Sequence, residues 1–134
     1  MIIIDANIIL RLFIGDNEEM ANKSIELIDN NPVLVLPEVL EEVTFVMTKF
    51  YGRDRKDVSK AILELLDLPN VNTNSERVIT RGTELYGETS LDFVDCLLCG
   101  YHTEAGYEIG TFDNKLLKLI KKESEPNSED SQTE

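Results

Sequence analysis

Residues 91–101, LDFVDCLLCGY, constrain the fold of this chain more than any other stretch. Rolled onto a helix at about 100° per residue, they are apolar almost all the way round. Leu91, Phe93, Val94, Cys96, Leu97, Leu98 and Tyr101 cover most of the circumference, and one narrow stripe carries Asp92, Asp95, Cys99 and, a turn on, His102. So apolar a helix expects burial, and a buried carboxylate must be hydrogen-bonded, protonated or matched by a cation. No lysine or arginine lies between Arg81 and Lys115 to serve locally. Acids from distant segments meeting this stripe around a divalent metal would resolve the conflict.

The chain has 134 residues, enough for one domain with a real core. The expected division is a folded domain over 1–122 and a disordered acidic tail over 123–134. That tail holds five acids and no base, and the rest of the chain still carries −8 of the net −13. A surface this acidic gives no diffuse attraction to nucleic acid or to an anionic membrane, so a polyanionic substrate would need metal ions, a local basic cluster or a second protein. The N-terminal MIIIDANIILRLF is too short and too acidic for a signal peptide, and no apolar run approaches a membrane span, so a soluble, cytoplasmic protein is expected. Cys96 and Cys99 fall in mid-helix rather than at a helix N-terminus, where a redox pair would lie; they read as small buried apolar residues.

Short apolar runs at 1–4, 33–36 and 107–112 read as strands buried on both faces, and 70–74 as a weaker one with a single apolar residue, Val71. Between them, helical spacing covers 8–14, 17–29, 37–50, the stretch from Asp54 to Pro69, 76–86, the central helix and 114–120. Asp16, Asp54, Ser75, Ser90 and Asp113 stand as N-caps. The order β-α-α-β-α-α-β-α-α-β-α implies an α/β fold: a parallel, four- to five-stranded sheet flanked by helices on both faces.

In such a sheet, ligands bind beyond the carboxyl ends of the strands. Asp5 follows the first strand and Asp113 the last, with Thr111 two residues earlier. Of the acids after the second strand, Glu42 is placed nearest the core if Val43 and Val46 face inward. Asp92 and Asp95 enter from the central helix. Each acid alone has an ordinary structural role as a cap or a solvated helix residue, and His102 reads as a satisfied histidine. Convergence of four segments is the evidence. Oxygen ligands without a cysteine–histidine set suit Mg²⁺ or Mn²⁺ rather than zinc, and such ions activate water for phosphodiester hydrolysis without a protein nucleophile.

IIIDANIILRLF, LPEVLEEVTFVMTKFYG, LDFVDCLLCGYHTEAG and IGTFDNKLLKL, in this order and spacing, resemble a PIN domain, the nuclease fold of VapC-type toxins, from residue 1 to about 120. The resemblance implies an acidic metal site of Asp5, Glu42, Asp95 and Asp113, supported by Asn7 and Thr111, with Asp92 as a further neighbour. It implies Mg²⁺- or Mn²⁺-dependent cleavage of RNA, a cognate antitoxin protein as partner, and a homodimer. Arg11, Arg53, Arg55, Lys56, Lys60, Arg77 and Arg81 are then the candidates for touching RNA phosphates. Two other readings compete: a catalytically weak PIN-like interaction module whose acids bind metal or a basic partner, and a receiver- or dehalogenase-like phosphoprotein. The latter wants a second aspartate near Asp5 and a lysine at a late strand end, which Asn7 and TFD at 111–113 do not supply.

Overall fold

A computed structural model gives the fold and describes residues 1–125. Three strands, β1 (Ile2–Ile3), β2 (Val33–Leu34) and β3 (Val71–Asn72), form a parallel sheet in the order β1-β2-β3. Ile2 pairs with Val33 and Ile3 with Leu34; Val33 pairs with Val71 and Leu34 with Asn72. β3 forms with one apolar residue because asparagine amides lock it in place. Asn72 Nδ2 donates to the Val33 carbonyl (3.2 Å), and Asn70 Nδ2 donates to those of Ile28 and Asp29 (3.0 Å each).

Seven helices surround this sheet among the described residues. Asp5 caps α1 (Ala6–Ile14), its Oδ1 accepting the Ile8 N–H at 3.2 Å. α2 (Glu18–Asn30) is capped by Asn17 rather than Asp16, which pairs with Arg11 instead. α3 (Pro37–Phe45) starts on Pro37 and continues as a π-helical turn over Val46–Phe50, where the Tyr51 N–H reaches the Val46 carbonyl at 3.1 Å. The Thr44 and Thr48 hydroxyls donate to the carbonyls of Glu41 and Thr44, the kind of side-chain competition that loosens a helical ladder. α4 (Arg55–Leu66) and α5 (Glu76–Glu88) lead to the central helix α6 (Phe93–Ala105), and α7 (Asn114–Ser124) closes the described chain. Ile4, Ile9, Val33, Val35, Leu40, Ile62, Ile79, Leu85, Phe93, Cys96, Cys99 and Leu116 join in one core. No helix among the described residues is long and apolar enough to cross a membrane.

Two expectations about the sheet need correcting. The sheet has three strands among the described residues, not four or five: 107–112 makes no ladder with β1. Gly106 and Gly110 interrupt that segment, Ile109 is the one apolar residue in it that is even half-buried, and Tyr107 turns out to lie edge-on to Tyr101 at 6.0 Å. β1 is consequently an edge, with Ile3 59% exposed rather than buried on both faces. α7 runs to Ser124, where Glu123 pairs with Arg81 (2.5 Å) and Ser124 Oγ meets His102 Nε2 (2.8 Å). Residues 126–134 of the expected tail lie outside the described residues.

Candidate active site

The start of α6 is set by a conflict over one carbonyl. Leu91 C=O accepts the Arg55 Nη2 donor, and Leu91 N–H donates to Thr89 Oγ1, so residues 89–91 are held in a turn. Ser90 therefore cannot cap the helix. Asp92 does, with Oδ1 accepting the Asp95 N–H at 2.9 Å. Arg55 is clamped in turn: its Nε donates to the Tyr86 carbonyl (3.1 Å) and its guanidinium lies 3.7 Å from the Tyr86 ring centre.

Asp95 is half-buried one turn into α6. Burial, the charges of Asp92 and Asp113, and the Asp92 carboxyl as hydrogen-bond neighbour all push its pKa up. Asp113 thus reaches the same region from another part of the chain. It caps α7 through the N–H groups of Lys115 (2.8 Å) and Leu116 (3.1 Å), and its own N–H donates to Thr111 Oγ1 at 3.0 Å. No ion pair involves Asp92, Asp95 or Asp113 among the described residues.

Asp5 is exposed and spends one oxygen on the α1 cap; Asn7 is exposed and makes no side-chain hydrogen bond among the described residues. Glu42 is exposed as well. The buried positions of α3 are Leu40, Val43 and Thr44, with Met47 following, which turns Glu42 to the outer side rather than to the edge of the apolar stripe. Its neighbour Glu41 instead joins Asp92 in lining a cleft of about 490 Å³. Among the described residues no three aspartate, glutamate, histidine or cysteine side chains come close enough to hold a metal ion, and this applies to Asp92, Asp95 and Asp113 as much as to Asp5 and Glu42. The sheet supplies a reason: a strand laddered on β1 would carry Asp113 to within about 5 Å of the end that bears Asp5, and 107–112 is not laddered there. The donor chemistry of Asp92, Asp95 and Asp113, oxygen-only and mutually repelling, fits a hard divalent cation.

A family model for the PIN domain matches residues 2–122. The chain belongs to the PIN-domain family. That is a superfamily of metal-dependent nucleases, so a hydrolase acting on nucleic acid is the activity its membership implies. Comparisons with curated proteins and with solved structures return no match.

In this PIN domain most of the arginines expected to face RNA are already engaged. Arg11 pairs with Asp16 and Arg77 with Glu104, while Arg55 is clamped as described. Arg81 meets Glu84, Glu88 and Glu123; burial lowers its pKa, but the hydrogen bonds and charges of those glutamates outweigh this and raise it. Arg53, Lys56 and Lys60 remain without an ion pair among the described residues, as does Lys49, which sequence reasoning passed over although it opens the basic and aromatic run KFYGRDRK. Both cysteines are buried and unlinked; burial pushes the Cys96 thiol up, and Cys99 to about 11, so neither serves as a thiolate at neutral pH. His102 is satisfied on both nitrogens, by the Tyr107 carbonyl (2.7 Å) and Ser124.

Proposed function

We propose that this PIN domain is a Mg²⁺- or Mn²⁺-dependent endoribonuclease, the toxin of a toxin–antitoxin pair, with Asp95 as its central acid. The observation that carries the reading is the field at Asp95: two acids from separate places in the chain raise its pKa, and no protein cation among the described residues offsets them. Asp95 and Asp113 would hold the metal, with Asp5 and Glu42 as the further ligands that the family resemblance assigns. Asp92 orients the first turn of α6, and Thr111 orients Asp113 through its N–H. A bound divalent ion lowers the pKa of water and offsets charge on the leaving oxygen. A cognate antitoxin that blocks the acids, a homodimer and a cytoplasmic location complete the proposal.

Purified protein is expected to cut RNA with Mg²⁺ or Mn²⁺ and to stop on addition of EDTA, and Asp95→Asn is expected to abolish cleavage. Metal-independent cutting, or full activity in that variant, would overturn the assignment. One observation favours a second reading, a non-catalytic interaction module: no three acids stand at metal-binding distance among the described residues. That reading expects no turnover on any RNA together with a metal-dependent rise in melting temperature.

A further inference from the structure

Folding sorts the basic residues of this acidic chain into two kinds. Arg11, Lys23, Arg77 and Arg81 are paired with carboxylates, and Arg55 is clamped. The rest stay without ion pairs among the described residues: Lys49 and Arg53 where α3 hands over to α4, Lys56 and Lys60 on a separate cleft beside Glu84 and Glu88, and the four lysines of α7.

The patch at Lys49 and Arg53 gathers several exposed rings, whereas α7 has the single exposed Phe112 just ahead of it. Phe45 is 64% exposed and Phe50 73%, and Tyr51 is exposed beside them. The Phe50 and Tyr51 rings sit 5.1 Å apart at 51° to each other. The π-helical turn and Gly52, whose φ of +64° favours glycine, end α3 at the point where these rings stand exposed. Exposed rings are costly in water unless something covers them. Here they alternate with unpaired cations, and Phe45, Lys49 and Arg53 line the same cleft as Asp92.

We propose that this end of α3, with Phe45, Phe50 and Tyr51 as stacking faces and Lys49 and Arg53 as phosphate contacts, is a platform that holds single-stranded RNA and feeds it along the cleft toward Asp92 and Asp95. The proposal rests on the ribonuclease reading for its direction of travel, not for the binding itself. Charge selects the occupant: an anionic strand with π faces matches alternating cations and rings, and a second copy of so acidic a chain does not. A continuous duplex buries its base faces and would find only the cations.

The test is fluorescence anisotropy with an end-labelled, mixed-sequence single-stranded RNA, in EDTA and again in Ca²⁺, run beside a cleavage assay in Mg²⁺. Phe50→Ala is expected to weaken binding about 10-fold, with smaller losses for Phe45→Ala and Tyr51→Ala. Lys49→Gln with Arg53→Gln should flatten the dependence of log Kd on log salt. The same sequence as a duplex should bind more weakly and ignore Phe50→Ala. Because these side chains are exposed, the variants should melt with the parent protein. Wild-type affinity in all three aromatic variants overturns the platform, even if the protein cleaves RNA. So does a Phe50→Ala variant that alters only the sedimentation of the protein, which would mark an interface between copies. Ring-dependent binding without any cleavage upholds the platform and refutes the ribonuclease reading alone.

Discussion

At Asp95, burial and two like charges act on one carboxyl group, and a residue raised in this way weakens the fold that contains it. With its folded-state pKa above the unfolded value of about 4, native protein holds the proton to higher pH. Its contribution to stability therefore falls as pH rises from that unfolded value through the raised one, and the full cost is present at neutral pH. Asp95→Asn in EDTA should raise the melting temperature at pH 7 by about 2 °C, the scale of one weak like-charge contact. The gain should vanish near pH 3, where both side chains are neutral; a variant less stable than the parent at pH 7 would contradict the field described. Arg55 makes the opposite case, since its three ties hold the turn from which α6 starts. Arg55→Ala should cost about 2 kcal/mol in urea unfolding, and Arg55→Lys should recover little of it because a lysine cannot stack flat and fork to two carbonyls.

At the scale of elements, α5 and α6 touch closely because glycines face each other across them. A Cβ on Gly100 would lie 2.8 Å from the Val78 carbonyl oxygen, and one on Gly82 would lie 2.9 Å from Leu97 Cδ2 and 3.1 Å from its Cα. Backbone cannot yield as a side chain tip can, so Gly100→Ala should cost about 2 kcal/mol despite the better helix propensity of alanine. Displacing α6 should also move Asp95, lowering metal-dependent activity by more than the loss of folded protein explains. Equal stability in Gly100→Ala would show that the helices can separate freely. How much of this was legible in the sequence depends on which force decides each element. Helices with a strong apolar stripe, such as α4 and α5, and the caps at Asp54 and Asp113 followed from periodicity and side-chain chemistry, which are local. The start of α6 did not, because a residue 36 positions away takes the Leu91 carbonyl. The missing fourth strand was also out of reach: its apolar residues look like a strand, but pairing depends on an edge elsewhere and on two glycines that weaken it. For the candidate site, the pairing of Asp92 with Asp95 at the start of α6 was legible, and the exposure of Glu42 was not. The angle assigned to Glu42 hung on treating Val46 as inward, whereas the buried face includes Leu40 and Thr44.

Across the whole molecule, a net charge of −13 means that the folded chain repels itself, and any cation should stabilise it to some degree. General screening and specific binding can be told apart by valence and by mutation. Sodium chloride should raise the melting temperature gradually over the range in which the Debye length falls from about 30 to 10 Å. Magnesium or manganese at matched ionic strength should raise it further if the acids around Asp95 bind an ion, because a ligand at 100 times its Kd adds about 2.7 kcal/mol. That excess should be lost in Asp95→Asn and in Asp113→Asn, while the sodium response persists in both. It should also shrink below the raised pKa of Asp95, since a protonated carboxyl is a poor ligand. An excess that survives both substitutions would place the ion elsewhere, and its absence in the parent protein would remove the metal from this group of acids altogether.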